Sequence, residues 1–351
     1  MNIVTLGGGT GQYHTLRALM YLKTELCTAH PIHITAIPTT TDNGGSSGTL
    51  RFDYKIVAPG DIGQCILGLH PKPEEVAWLF EHRFSGGGLN GHTTRNIIVT
   101  TALKVHGPNQ SALDAVRDTF KLAGDICPAT FTEAHVRVQL ANGKVLLCED
   151  ELYRENILAS GGVEQVWLEP NVTPVNKRSV EAIHHADVIV VCPGTLYCSI
   201  IPNFLVREIK EALCESSAQK IYVANLMNQR GHIPKDWTAF DHMRCINGYL
   251  QEDFFDVVIV NEQEPSQNQA LLYGKEKVFV SSSQHFGDLS CTVISAPLIM
   301  CEPSVSKNNS GDMLAHLRAS VRHDKKRLAI ALQRALVQAN MHMVCDMSYS
   351  W

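Results

Sequence analysis

The sequence predicts an α/β protein with a Rossmann-like, doubly wound and mostly parallel sheet that carries a helical insertion. Short β-branched runs alternate with helical patterns along most of the 351 residues, which is typical of right-handed strand–helix–strand units. The runs are nearly continuous in apolar character, as expected for strands that are buried on both faces. Glycine-rich polar segments follow several of them. We therefore expect one compact α/β domain over residues 1–351.

The individual elements follow from the spacing of the apolar residues. Six runs are predicted as strands of the sheet: 2–6, 32–37, 163–168, 188–191, 220–224 and 257–260. The helical patterns between them cover 15–26, 63–69, 177–185, 199–215 and 236–251. Two further strands are predicted late in the chain, at 278–281 and 292–295.

Three segments depart from this alternation. Residues 74–124 hold three helical patterns without a convincing strand, and they are predicted as a helical insertion. Residues 136–140 and 144–147 are predicted as a β-hairpin, because the Asn-Gly between them accepts positive φ at a tight turn. The amphipathic pattern over 312–340 predicts a C-terminal helix, with the charge run 322–327 on its solvated face.

Composition excludes several functional classes. A formal net charge of -5 argues against general nucleic-acid binding, which needs a basic surface. Eleven cysteines occur without a C-x-x-C pair, so neither a zinc nor a haem site is expected. The sequence contains neither a signal-peptide pattern nor an apolar run of membrane-spanning length. We expect a cytoplasmic protein without a membrane span.

Polar segments follow five predicted strands at their carboxyl ends. In a parallel sheet all carboxyl ends lie on one edge, and open α/β sheets bind their ligands there. The five segments are GGGTG at 7–11, TTTDNGGSSG at 39–48, PGTLYCS at 193–199, NLMNQ at 225–229 and NE at 261–262. The sequence therefore predicts that they meet at one crevice.

The residue types in these segments indicate a phosphate ligand. Glycine leaves backbone N–H donors open to a phosphate, and a loop that begins a helix adds the positive end of the helix dipole. The alternative is that the glycines only permit sharp turns; three such loops on one edge favour binding. The dinucleotide pattern G-x-G-x-x-G fails at Gln12, and no lysine completes a P-loop. NAD binding and ordinary ATPase chemistry are therefore not expected.

Two acids are the candidate catalytic residues. Asp42 follows the second strand, and Asp61 precedes an apolar helix. Either could bind Mg²⁺ beside phosphates or accept a proton from a substrate hydroxyl. Asp42 is the metal candidate, whereas Asp61 has an alternative role as a helix N-cap. His92, just before another predicted helix, is a further polar candidate.

Six motifs occur in the order in which one known family carries them. They are LGGGTG at 6–11, TDNGGSSGTLR at 41–51, PGDI at 59–62, GHTTRN at 91–96, ADVIVVCPGTLYCSIIPN at 186–203 and NLMNQRG at 225–231. In these motifs the chain resembles the gluconeogenesis (morphogenesis) factor family, which is related to 2-phospho-L-lactate transferase, CofD. The C-terminal part resembles the family less clearly.

The resemblance implies a modified Rossmann-like core, a cytoplasmic location and binding of a nucleotide sugar such as UDP-glucose or UDP-N-acetylglucosamine. It also implies a role in carbon metabolism and cell shape without an established reaction. Asp42 matches the acid that the transferase relatives place near the acceptor. The residues predicted to bind the ligand are Gly7, Gly8, Gly9, Thr10, Gly11, Asn43, Gly44, Gly45, Ser46, Ser47, His92, Asn96, Gly194, Thr195, Ser199, Asn203, Asn225, Met227 and Gln229.

The chain departs from the family pattern at several places, among them Arg230-Gly231-His232 where the family usually has PGE. Asn43 stands where the family usually has a second acid, Gly63-Gln64 stands where Arg-Asn usually follows PGDI, and Asn228 replaces the usual Thr. Two hypotheses follow. The favoured one is a regulatory protein that binds a nucleotide sugar and signals through an unidentified protein partner. The alternative is a Mg²⁺-dependent transferase that moves a phospholactyl-type group from a nucleotide diphosphate to a hydroxyl. A homo-oligomer would be common for such a fold.

Overall fold

The computed structural model describes residues 1–26, 31–147, 151–152, 155–229, 231–234, 236–251, 253–267, 269, 277–280, 291–300 and 321–338. Its strands, in chain order, are β1 (Asn2–Gly7), β2 (His33–Pro38), β3 (Asp125–Ile126), β4 (His135–Leu140), β5 (Val145–Leu146), β6 (Val163–Glu169), β7 (Val188–Val191), β8 (Gln219–Val223), β9 (Met227–Gln229), β10 (Val257–Asn261), β11 (Lys277–Phe279) and β12 (Thr292–Ala296).

The helices carry the chain between these strands. They are α1 (Gly9–Glu25), α2 (Gly45–Tyr54), α3 (Pro59–Leu69), α4 (Pro73–Phe80), α5 (Thr94–His106), α6 (Gln110–Phe120), α7 (Lys177–His184), α8 (Ile201–Phe204), α9 (Arg207–Glu215), α10 (Ala239–Asn247) and α11 (Lys325–Gln338). A π-helical turn, Leu196–Ile200, leads into α8.

The central sheet has seven parallel strands in the order β12-β10-β8-β7-β1-β2-β3. From β1 the chain first adds β2 and β3 on one side, and it later adds β7, β8, β10 and β12 on the other. The winding therefore reverses between β1 and β7, which makes this the switch point of the sheet. The predicted α/β class with a parallel doubly wound sheet is confirmed.

Alternate residues of the central strands point into two separate cores. Ile3 and Val188 face a core that α1, α3 and α11 cover, whereas Val4 and Ile189 face one that contains residues of α9 and α10. All four side chains are at most 1% exposed. Burying an aliphatic side chain of this size contributes about 1.5–3 kcal/mol, so the two-sided burial holds the strand ends in fixed positions.

One predicted strand belongs to a different sheet. Residues 163–168 were expected in the parallel sheet, but β6 pairs antiparallel with β4, and β5 pairs antiparallel on the other side of β4. The reason is polarity: β4 buries every second residue and β6 exposes Glu164 and Gln165, as in a sheet with one solvated face. The predicted hairpin is β4 and β5. The predicted strand at 278–281 is represented by β11, which pairs antiparallel with β9.

Several helices begin elsewhere than predicted. Helices α1 and α3 begin at Gly9 and Pro59, one to two turns before the predicted starts, so the glycine loops belong to their first turns. Residues 45–48 were expected in the polar segment after the second strand, but they form the first turn of α2. The predicted helix 199–215 is broken into the π-helical turn, α8 and α9.

The C-terminal helix begins later than the apolar pattern suggests. Residues 321–324 are not helical, and α11 begins at Lys325, where Asp324 Oδ1 accepts hydrogen bonds from the N–H groups of Lys326 (2.9 Å) and Arg327 (3.0 Å). Residues 312–320 and 339–340 of the predicted helix lie outside the described residues.

Candidate functional site

A cavity of about 490 Å³ opens at the carboxyl edge of the central sheet, at the switch point. Its walls come from the segments after β1, β2, β7 and β8, from α5 and the turn that precedes it, and from residues 321–323. Four of the five segments predicted to converge therefore do so. The fifth does not line the cavity: Asn261 accepts a hydrogen bond from Leu298 N–H (2.9 Å) and donates to Gln263 O (2.7 Å).

Four helices of ten or more residues begin at the cavity. The first turns of α1, α2 and α3 line it, together with the N-cap and first turn of α5. The first turns of α1, α2 and α5 contain no acidic residue, whereas α3 has Asp61. Helix N-termini present unpaired N–H groups and a positive partial charge. The cavity is thus surrounded by groups that attract an anion.

Two glycines are required by the geometry of this region. Gly11 lies so close to the next loop that a Cβ on it would be 1.8 Å from the carbonyl oxygen of Pro193. Gly9 has φ +57, in the left-handed region that favours glycine. The close approach of α1 to the segment after β7 therefore depends on Gly11, so part of the glycine pattern serves packing as well as access for a ligand.

The amide of Asn225 fixes the loop after β7. Its Oδ1 accepts from Gly194 N–H (2.8 Å), and its Nδ2 donates to Gly194 O (2.7 Å). Both polar groups of the Gly194 backbone are thus satisfied by one side chain. Asn225 lines the cavity, but its amide is committed to positioning Gly194.

A buried arginine holds the loop after β2. Arg51 on α2 is 1% exposed and donates to Thr41 O (3.0 Å), to Asn43 Oδ1 (2.5 Å) and to Ala134 O. Asp42, between the two residues that Arg51 holds, accepts a hydrogen bond from Gly44 N–H at 2.7 Å through Oδ1. These contacts set the direction in which α2 begins.

The two candidate acids both line the cavity. The Asp61 carboxylate lies against the first glycine loop: a Cβ on Gly8 would be 2.5 Å from its Oδ2. A Cβ on Gly60 would likewise be 3.3 Å from Asp42 Oδ2. Because Gly60 precedes Asp61 in the chain, the two carboxylates flank the same turn, the start of α3.

Hydroxyl and amide groups join α2 to α5. Ser46 Oγ is 3.0 Å from His92 Nδ1 and accepts a hydrogen bond from Asn96 Nδ2 at 3.0 Å. The Oδ1 atom of Asn96 is buried without a hydrogen-bond partner. Burial lowers the pKa of His92, so its ring is held in the neutral form near neutral pH. On the opposite side, the hydroxyls of Thr195 and Ser199 are 3.0 Å apart.

Residues 74–124 contribute two arginines to the wall, Arg83 and Arg95. Arg83 donates to Gly91 O at 2.6 Å. The stem of Arg95 packs over Gly63, since a Cβ there would be 3.1 Å from its Cγ and Cδ. The family pattern has an arginine after PGDI; in this chain the stem of Arg95 lies against that position.

Two neutral histidines, His14 and His323, line the cavity on the side of residues 321–323. Burial, together with the charge of Arg322, lowers the pKa of His14 to about 3. Burial lowers the pKa of His323 to about 4, and its Nε2 is buried without a hydrogen-bond partner. Both rings are therefore uncharged near neutral pH. They offer hydrogen bonds to a neutral group rather than charge.

Most of the residues predicted to form the site surround the cavity. Three do not: Gly7 packs against Cys192, Asn43 binds Arg51, and Asn203 is 1% exposed and donates to Gly7 O (3.2 Å). The side chain of Gln229 lies outside the described residues. Those that line the cavity are Gly8, Gly9, Thr10, Gly11, Asp42, Gly44, Gly45, Ser46, Ser47, Asp61, His92, Asn96, Gly194, Thr195, Ser199, Asn225 and Met227.

Sequence reasoning missed several cavity residues. Arg322 and His323 were assigned to the solvated face of a helix, but both line the cavity and His323 is 5% exposed. The sequence held one sign that they lie outside the helix. Both precede Asp324, a residue type that often caps the start of a helix. Arg95 was present in the GHTTRN motif without being singled out. His14 gave no signal, because it lies between the glycine loop and the helix predicted from residue 15.

Comparisons with known proteins identify the family of this chain. The family model described as 2-phospho-L-lactate transferase CofD matches residues 3–299. The chain belongs to the CofD family. A putative gluconeogenesis factor of Aquifex aeolicus is 35% identical over 338 residues, with 96% of this chain and 97% of that protein covered. The gluconeogenesis factor of Bacillus subtilis is 33% identical over 265 residues, covering 75% and 79%.

Solved structures of the family share the fold. Protein BH3568 from Bacillus halodurans superposes with a TM-score of 0.81 at 29% identity, covering 95% of this chain and 99% of that one. A second crystal structure of it, described as a member of the UPF0052 family, gives 0.80. Within the described part of the chain, no helix combines the length and apolar character needed to span a bilayer.

Proposed function

We propose that this protein binds a UDP-type nucleotide sugar in the cavity and acts as a regulator of carbon metabolism and cell morphogenesis. One observation carries the proposal: four helix N-termini converge on a single cavity at the switch point. Such termini bind phosphate through backbone N–H groups and the helix dipole. A diphosphate has two charged groups, which matches an anion site formed by several helices.

The remaining walls suit the uncharged parts of a nucleotide sugar. A volume of about 490 Å³ is in the range of small-molecule sites. Leu226 and Met227 supply apolar surface for a base. His14 and His323 supply uncharged hydrogen-bonding groups for hydroxyls or a base edge.

The regulatory part of the proposal rests on the relatives. Two proteins that align with most of this chain are named gluconeogenesis factor or putative gluconeogenesis factor. An unidentified protein partner would read the bound state.

A CofD-like transferase is the second candidate, because Asp42 and Asp61 both face the cavity beside the anion site. The chemistry would be transfer of a phospholactyl-type group from a nucleotide diphosphate to a hydroxyl. Mg²⁺ in such sites is bound by one or two carboxylates together with phosphate oxygens and water. Asp42 fits that need through Oδ2, since its Oδ1 accepts from Gly44. The ion would neutralise phosphate charge, and Asp61 would accept a hydroxyl proton.

One assay separates the candidates. We expect UDP-glucose or UDP-N-acetylglucosamine to raise the melting temperature by mass action, and GDP to do so less. A regulator leaves the donor intact when acceptor alcohols and Mg²⁺ are added, whereas a transferase releases the nucleotide. Asp42→Asn should abolish any Mg²⁺ dependence of binding, with Asp53→Asn as a control on the solvent side of α2. No stabilisation by any nucleotide would contradict the proposal.

A further inference from the structure

Arg95 and Gly63 form a pair across two helices that meet at the cavity. Gly63 is on α3 and Arg95 on α5. A side chain at position 63 would point into the stem of Arg95, 3.1 Å from both Cγ and Cδ. Arg95 is 9% exposed and lines the cavity. The absence of a side chain at Gly63 therefore makes room for an arginine that approaches from α5.

The neighbour of Arg95 supplies a second, independent sign of a ligand. Asn96 lines the cavity and is 4% exposed, and its Oδ1 is buried without a hydrogen-bond partner. A buried acceptor without a donor is costly unless a ligand supplies one. Two adjacent residues thus bring an arginine and a buried amide oxygen without a partner to the same cavity wall. They suit a phosphate oxygen and a hydroxyl, the two groups of a sugar phosphate.

Position in the sheet indicates which end of the ligand lies here. Leu226 and Met227, the proposed surface for the base, follow β8 on one side of the switch point. Helix α5 packs with α2 and α3, and α2 follows β2 on the other side. A ligand with its base at Met227 and a phosphate at the α1 N-terminus extends its distal phosphate and sugar towards α5.

We infer that Arg95 is a ligand-binding residue that contacts the distal, sugar-linked phosphate, and that Gly63 is the residue that permits it. The inference rests on the proposed function. Arginine suits this role because its planar guanidinium pairs with two phosphate oxygens and stays charged at any physiological pH. Arg95 thereby selects nucleoside diphosphates and their sugars over monophosphates.

The test compares diphosphates with monophosphates by calorimetry on the full chain. With Arg95→Gln we expect affinity for UDP and UDP-N-acetylglucosamine to fall about tenfold to hundredfold. Affinity for UMP should stay within threefold, since UMP lacks the distal phosphate. Arg207→Gln, an exposed arginine on α9 (79% side-chain exposure), serves as the matched control for loss of charge. GDP and GMP provide the same comparison if guanine is the base.

A charge transposition separates binding from a structural role. Arg95→Gly alone should weaken UDP binding as Arg95→Gln does, and Gly63→Arg alone crowds two stems into one space. The double variant Gly63→Arg/Arg95→Gly places one guanidinium in the same space from α3, and we expect it to recover at least tenfold over Arg95→Gly. Melting temperatures of all variants report their folding.

Two results would overturn the inference while leaving the proposed function intact. One is an Arg95→Gln variant that binds UDP within twofold of the unmodified chain. The other is an equal loss for UMP and UDP that the double variant does not restore. Failure of the unmodified chain to bind any UDP- or GDP-linked compound would instead contradict the proposed function, and with it a role for Arg95 towards a nucleotide.

Discussion

At the scale of single residues, the cavity depends on side chains that hold loops as much as on those open to a ligand. Asn225 and Arg51 satisfy backbone groups of the loops after β7 and β2. Gly11 permits the contact with Pro193. Residue type alone could not separate these roles from binding, because an asparagine beside a glycine loop suits either one.

We predict that Asn225→Asp destabilises the loop after β7. The substitution keeps the shape of the side chain but removes the Nδ2 donor and places a carboxylate oxygen against Gly194 O. We expect a loss of about 1–3 kcal/mol in the free energy of unfolding, measured by urea denaturation, and weaker nucleotide binding. Asn142→Asp, at the exposed hairpin turn, should change neither. Unchanged stability of Asn225→Asp would contradict the positioning role.

The sequence predicted more of the glycine-rich loops than of the charged and histidine side chains around them. The segments 8–11, 44–47 and 194–199 were recognisable because glycine and hydroxyl residues follow apolar strands. Arg95 and His14 were not, because neither stands in a glycine-rich segment after a strand, and only the packing of α5 and α1 brings them to the wall. At position 63 the sequence showed only that glycine replaces the usual arginine. The structure shows that the stem of Arg95 lies beside this glycine.

At the scale of elements, the starts of helices decide the geometry. The sequence placed the beginning of α1 at residue 15 because the periodic apolar residues begin there, whereas glycines in the first turn carry no periodicity. The same reason concealed α2, whose first four residues are Gly45, Ser46, Ser47 and Gly48. Glycine-rich first turns are poor helix formers, and tertiary contacts such as those of Arg51 supply what propensity lacks.

An ion-pair network fastens the short edge strand β3. Asp125 pairs with Arg117 of α6 at 2.6 Å and with His33 of β2 at 2.9 Å. Burial acts to raise the pKa of Asp125, but the hydrogen bond and charge of Arg117 and the nearby His33 outweigh it. The pKa therefore lies below its ordinary value of 3.8. β3 has only two residues, so this network adds to the pairing with β2 and to the burial of Ile126 in holding it in the sheet.

We predict an acid-labile contribution from this network. A lowered pKa in the folded state stabilises the fold above pH 3.8, and the contribution is lost as pH falls through the lower folded value. Asp125→Asn should reduce stability at pH 7, and it should flatten the loss of stability as the pH falls below the ordinary value of 3.8. Urea denaturation at a series of pH values measures both, with Asp53→Asn, at an exposed position of α2, as the control. Parallel pH curves for the two variants would refute the assignment.

At the scale of the whole molecule, α11 closes the structure from the far end of the chain. Its buried residues, among them Leu328, Leu332 and Leu336, join the core that covers one face of the sheet. The residues just before it, 321–323, line the cavity. The C-terminal part resembled the family least at the level of sequence, yet it completes both the core and the site.

We predict that Leu332→Ala costs about 2–5 kcal/mol of unfolding free energy, as expected for a leucine that is 1% exposed. Lys325→Ala, at the exposed first position of the same helix, should cost less than about 0.5 kcal/mol. Urea denaturation followed by circular dichroism gives both values. Equal effects of the two substitutions would mean that α11 does not share in the cooperative unfolding of the core.

The meeting of four helix starts has a consequence for the protein without its ligand. Like partial charges that face one another across a small volume repel, and Arg83 and Arg95 add to that repulsion on the side of α5. An anion in the middle adds an attraction to each helix start, which offsets this repulsion, although Asp42 and Asp61 on the same wall oppose it. The anion is a counterion shared by α1, α2 and α3 and by α5, so it draws these four helix starts together. A phosphate ion alone should therefore make the protein more compact, before any base or sugar is bound.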